Sequence, residues 1–248
     1  MAGWRREDIA GFVCDVFEPH RVHEQGWVFV YLHGVHLHPL AEEQPFTEQF
    51  ERFGIRVVAP WGGRCWWVDR PCPDFSPRCT PERLVLDYVL PWIKSQWQCQ
   101  PPRIALFGTS MGGQGALRIA YKYPHLFPVV AAISPAIDFH RRWDSDPILQ
   151  QMYADPELAR QDTAILYVHP LNWPRHQFFC CDPQDERWWD SADRLRMKLA
   201  SLGIPFTCDL ETSGGGHGFA YYNRMAQRVV EFLIAGLESE RLRLPVAE

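Results

Sequence analysis

Ser110 is the residue whose setting most directly implies chemistry. It stands in Gly108-Thr109-Ser110-Met111-Gly112-Gly113, a GxSxG pattern. The run before it, Arg103-Ile104-Ala105-Leu106-Phe107, is short, apolar and preceded by Pro101-Pro102, which predicts a buried strand. Gln114 to Tyr123, closed by Pro124, predicts a helix. A serine at a tight strand-to-helix turn has its hydroxyl lifted above the sheet edge, and flanking glycines permit the crowded backbone. The hydroxyl is a weak nucleophile near neutral pH, so it needs a base to take its proton and an acid to orient that base. In the order serine, acid, histidine, the base lies downstream of the acid. After His176 the only histidine is His217, in the loop Gly214-Gly215-Gly216-His217-Gly218. The acid stays open. Cys181-Asp182-Pro183-Gln184-Asp185-Glu186 offers Asp182 and Asp185 at the end of one strand, and Pro183 favours a turn that brings either to His217. Asp138, after the preceding strand, is an outside candidate.

Acyl transfer also generates an oxyanion, which backbone N–H groups must stabilise in place of water. The expected donors are Met111, the residue after the nucleophile, and Val35 in the loop His33-Gly34-Val35, where Gly34 lets the backbone turn inward. His33, His36 and His38 have a spacing that permits metal binding, but no acidic or cysteine cluster accompanies them, so neither a metal nor an organic cofactor is expected. The loop from Pro60 to about Thr80 is rich in Gly, Pro and Trp, and its length implies a task. With His33, its Trp61, Trp66 and Trp67 are candidates for walls of a substrate pocket, because large aromatics bury apolar ligands well. The excursion 137–176, polar and interrupted by proline, is expected to share that role.

These groups need a scaffold, and 248 residues suit one α/β domain, 1–248, with a substantial core. Hydrophobic residues at 46% and charged ones at 22% are ordinary for a soluble globular protein. The net charge of -5 comes from 25 basic and 30 acidic residues without long runs, which argues against nucleic acid or anionic membrane as partners. No stretch of 18 apolar residues occurs and no apolar segment follows the first basic residues, so a cytoplasmic location is expected. The eight cysteines include no CxxC, and the adjacent Cys180 and Cys181 lie in an apolar run, which favours free thiols.

Strands are expected over 9–17, 27–32, 55–59, 103–107, 128–134, 178–181 and 204–210. Helices are expected over 42–53, with Gly54 as its C-cap, over 82–97 behind Thr80 and Pro81, and over 114–123, 191–202 and 221–237. Asp190 is expected to cap the fourth of these. Strands alternating with helices predict a mostly parallel central sheet with helices on both faces.

Phe107-Gly-Thr-Ser-Met-Gly-Gly-Gln-Gly-Ala-Leu117, Tyr123-Pro-His-Leu-Phe127 and Ala131-Ala-Ile-Ser-Pro135 resemble the esterase family of the α/β-hydrolase superfamily, which includes S-formylglutathione hydrolases, feruloyl esterases and mycolyltransferases. The resemblance spans roughly residues 25 to 236. It implies an α/β-hydrolase fold, Ser110 as nucleophile, His217 as base, and the backbones of Met111 and the 33–35 loop as oxyanion donors. The family's GxxD pattern aligns with Asp182-Pro-Gln-Asp185, which puts the acid on Asp185 and leaves Asp182 where glycine is usual. The expectation is a serine hydrolase of a small-molecule carboxylic ester or thioester. An acyltransferase with the same three residues is the nearer rival, and a noncatalytic binding protein on the same scaffold is the more distant one.

Overall fold

A computed structural model describes residues 2–243. The layering follows from alternation along the middle strands. In β3 (Val28–Leu32) and β5 (Ile104–Thr109), Val28, Val30, Leu32, Ile104 and Leu106 enter one core, while Phe29, Tyr31, Ala105 and Phe107 enter a second core on the opposite face. Side chains that point alternately to two apolar faces require cover on both. The other strands are β1 (Gly3–Ile9), β2 (Phe12–Glu18), β4 (Arg56–Pro60), β6 (Val129–Ile133), β7 (His176–Cys180) and β8 (Thr207–Asp209). They join one sheet of order β1-β2-β4-β3-β5-β6-β7-β8, in which β1 with β2 and β2 with β4 are antiparallel and the remaining pairs are parallel. The fold is therefore an α/β-hydrolase fold with a mostly parallel sheet.

The cover on the second face is α1 (Gln44–Phe53), which buries Phe46 and Phe50, and α8 (Phe219–Arg243), which buries Tyr221, Met225, Val229 and Leu233. The first face carries α2 (Pro81–Arg83), a π-helical stretch Leu84–Val89, α3 (Leu90–Trp97), α4 (Met111–Lys122) and α7 (Trp189–Ser201). Pro91 has no N–H to donate, and the wide π turn before it, with Leu90 N–H on the Val85 carbonyl, absorbs the mismatch. The 137–176 excursion contains α5 (Pro147–Met152) and α6 (Pro156–Gln161), capped by Asp146 and Asp155. A buried ionic network fastens it down: Arg118 of α4 pairs with Glu82 and Asp162, and Tyr153 and Tyr167 donate to Asp162 at 2.9 and 2.8 Å.

Two expectations change. The strand expected over 9–17 is a hairpin, because Ala10 and Gly11 both adopt positive φ and turn the chain between β1 and β2. Asp190 does not cap α7; it lies inside the first turn, and the N–H groups of Arg187 and Trp188 are taken by Asp185 at 3.2 Å each.

Candidate active site

The parallel strands end at Ser110. Between β5 and α4 this residue takes φ 54° and ψ -118°, a backbone region that L-residues avoid at a cost on the order of 1–3 kcal/mol. Its neighbours over-determine it: Ser110 N–H donates to the Ile133 carbonyl at 2.9 Å, and its carbonyl accepts from Ala136 at 2.9 Å. The motif's glycines serve close approach, since a Cβ on Gly112 would collide with the Leu32 carbonyl and one on Gly108 with the Gly112 carbonyl.

The Gly214–Gly218 loop brings His217 over this turn. Its Nε2 lies 2.9 Å from Ser110 Oγ, and its Nδ1 lies 2.6 Å from Asp185 Oδ2. With Nδ1–H donated to the carboxylate, Nε2 is free to accept from a hydroxyl. Asp185 is itself oriented by Arg187 and Trp188 N–H on Oδ1 and by the Cys181 thiol 3.5 Å from Oδ2.

The two aspartates that spacing left open occupy different positions. Asp182, fully buried, accepts from Gln184 N–H at 2.8 Å, Gly214 N–H at 2.6 Å and Gly216 N–H at 2.8 Å. Burial pushes its pKa up, but these backbone donors outweigh burial and hold it below the usual carboxylate range. Asp182 thus clips the glycine loop in place while Asp185 reaches the histidine. Asp138 is engaged elsewhere, by Arg194 and Arg141.

The opposite wall is the loop after β3. Gly34 packs against the turn, with space for a Cβ only 3.4 Å from Ser110 Cβ. His33 lies beneath it: Nδ1–H donates to the Gly34 carbonyl at 2.9 Å and Nε2 accepts from Gly62 N–H at 3.0 Å. Burial lowers the His33 pKa to about 4 despite its backbone bonds, so the ring is neutral at neutral pH. Met111 opens α4, where its N–H has no intrahelical acceptor, and among the described residues Val35 N–H has no protein acceptor either.

A cavity of about 520 Å³ opens over Ser110 between these loops. Gly34, Val35, His36 and His38 form one side; Gln184, Glu186 and Arg187 form another; Phe219 and Tyr222 of α8 complete it. His38 is fixed by Glu43 at 2.6 Å, and Asn223 of α8 holds the same carboxylate at 2.6 Å. The residues expected as pocket walls stand elsewhere. Trp66 and Trp67 both adopt positive φ, which folds them back under the loop into the core. Trp66 stacks on Phe139 with centroids 4.8 Å apart, and Trp67 packs on Gly115 and donates to the His33 carbonyl at 3.1 Å. Trp61 turns away to Asp15, 2.9 Å from its indole nitrogen, and His33 is covered. The excursion also contributes no lining residue to this cavity. His36 and His38 line it instead, and among the described residues no three His, Cys, Asp or Glu side chains group as metal ligands.

Tyr222 escaped sequence reasoning. Its hydroxyl lies 3.0 Å from His217 Nε2, and the only signal was its place five residues beyond that histidine, at the start of a helix.

Residues 19–202 match the model of the family described as "Putative esterase". The diacylglycerol acyltransferase/mycolyltransferase Ag85C of Mycobacterium avium is 28% identical over 104 residues, a segment that takes in 40% of this chain and 30% of that relative's length. Among solved structures, a ferulic acid esterase superposes with a TM-score of 0.73 at 17% identity, covering 94% of this chain and 97% of its own. An S-formylglutathione hydrolase of Agrobacterium tumefaciens superposes with a TM-score of 0.69 at 18% identity, covering 95% and 93%. At such identities the structural likeness speaks for the fold, whereas the family match runs over most of the chain: the chain belongs to the esterase family.

Proposed function

We propose that this protein is a serine hydrolase that cleaves a carboxylic ester or thioester of a small molecule through an acyl-enzyme on Ser110. The observation that carries this reading is the unbroken chain from Ser110 Oγ to His217 Nε2 at 2.9 Å and from Nδ1 to Asp185 at 2.6 Å, at the floor of a cavity. Ser110 Oγ attacks the carbonyl carbon as its proton passes to Nε2, and Asp185 steadies the imidazolium. Met111 and Val35 N–H groups stabilise the oxyanion. Nε2–H then protonates the leaving alcohol or thiol as the C–O or C–S bond breaks. Water repeats the sequence on the acyl-enzyme, giving its proton to Nε2, and the acid departs with Ser110 restored.

The cavity volume suits a small substrate and is not large enough to enclose a polymer. The eight unpaired thiols suit a reducing compartment such as the cytoplasm. Similarity to an acyltransferase keeps transfer to an alcohol as the second reading, and product partition with added acceptor alcohols distinguishes it from hydrolysis. Ser110→Ala is expected to lower p-nitrophenyl acetate turnover by at least about 10³-fold with the fold retained. A folded Ser110→Ala protein with wild-type turnover contradicts the proposal.

A further inference from the structure

Two hydroxyl groups meet Nε2 of His217. Ser110 Oγ lies 2.9 Å away and Tyr222 OH 3.0 Å away. Tyr222 comes from the first turns of α8, is buried, and sets its ring edge-on to the imidazole with centroids 5.7 Å apart. It also packs against Phe219 and lines the same cavity as Ser110. A neutral imidazole nitrogen has a single lone pair, so in the resting site it accepts fully from only one of the two hydroxyls. The balance changes once Nε2 has taken the serine proton. It then accepts from neither, the tyrosine oxygen can accept from Nε2–H, and the tyrosine O–H becomes free to donate into the cavity. That is where the departing oxygen of an ester bound to Ser110 has to be.

Resting on the serine-hydrolase reading, we propose that Tyr222 is a catalytic residue of the same reaction, its hydroxyl bridging Nε2–H of His217 and the leaving-group oxygen in acylation, and Nε2 and the attacking water in deacylation. The proton ledger is unchanged. In acylation the Oγ–C bond forms, the C–O bond of the ester breaks, the serine proton passes to Nε2, and as Nε2–H gives its proton to the Tyr222 oxygen the Tyr222 O–H gives its own to the alcohol. Tyr222 exchanges one proton for another, is neutral before and after each step, and donates to the oxygen on which charge develops; in deacylation the exchange runs in reverse, from water through Tyr222 to Nε2. Burial pushes its pKa well above the ordinary tyrosine value, which suits a donor that must stay neutral. The role matters most for esters of alkyl alcohols, whose alkoxides cannot leave without a proton. It matters least for aryl esters with acidic phenols.

The test compares ethyl butyrate with p-nitrophenyl butyrate, which share one acyl-enzyme, and reads kcat/KM, which reports acylation. Tyr222→Phe is expected to lower kcat/KM about tenfold or more for the ethyl ester and less than about threefold for the nitrophenyl ester. Labelling of Ser110 by a fluorophosphonate, whose fluoride leaves unaided, is expected to stay within about twofold of wild type and certifies the fold. An equal loss on both esters, or no loss on either, overturns the proposal. The wild-type protein offers a second readout that needs no variant: a bowed proton inventory of kcat/KM for the ethyl ester against a linear one for the nitrophenyl ester. Matching inventories overturn it too. A wild type that neither hydrolyses these esters nor takes the label sinks the serine-hydrolase reading itself, and the tyrosine role with it.

Discussion

The two loops that flank Ser110 are held by different physics. The loop carrying His33, Gly34 and Val35 is backed by the core: Trp67 is buried beneath it, donates to the His33 carbonyl and packs on Gly115, while Gly62 N–H meets the His33 ring. The loop carrying His217 has little apolar anchorage. Glycines at 214, 215, 216 and 218 give it no side chains to bury, and the carboxylate of Asp182 takes the Gly214 and Gly216 N–H groups. One loop is an extension of hydrophobic packing and the other is a hydrogen-bonded clip. Damage to the first should therefore appear as lost stability, and damage to the second as lost activity.

The largest expected effect is on the packed side. Trp67→Ala removes a fully buried indole and one hydrogen bond, so urea unfolding should report a loss of about 3–5 kcal/mol. A loss under about 1 kcal/mol would erase the distinction between the loops.

The next concerns the His33 ring. Its pKa of about 4 lies below that of an unfolded histidine, so the unfolded chain binds the proton first as pH falls. The stability linked to the neutral ring is complete above about pH 6.5 and is lost toward pH 4, amounting to about 3 kcal/mol over that window. Unfolding midpoints at pH 7.5 and 5 check this, with His33→Gln expected to flatten the difference. An unchanged pH dependence in that variant speaks against the assignment.

The smallest effect on stability, about 1–3 kcal/mol, is expected for Asp182→Asn, which turns an amide N–H₂ toward backbone donors. Its signature is in kcat, which should fall at least about tenfold as His217 loses its fixed position. Wild-type kcat in a destabilised Asp182→Asn protein would mean that the loop keeps its place without the clip.

Much of this arrangement was legible from residue order. Continuous apolar runs punctuated by Gly and Pro mark the central strands, because buried parallel strands have two apolar faces. The β1–β2 hairpin was not, since its turn places Ala10 at positive φ, where no sequence signal demands it. Ser110 and His217 stood out by motif and by elimination. Residue order alone left Asp182 and Asp185 open, because both follow one strand and both are buried, and only the resemblance to the family's GxxD pattern favoured Asp185; their partners are what differ. The tryptophans misled for a related reason. Indole rings suit a pocket wall and a core equally well, and the left-handed backbone at Trp66 and Trp67 that decides between them is a tertiary outcome. Tyr222 was hidden among the apolar residues of a helix start.

The proposed activity rests on Ser110 as the nucleophile of an ester hydrolase. Its most direct measurement is mass spectrometry of the protein after reaction with a fluorophosphonate, followed by peptide mapping. One adduct per chain is expected, on Ser110, formed at a rate that collapses in His217→Ala. A folded protein that takes no adduct, or takes it at another residue, contradicts it.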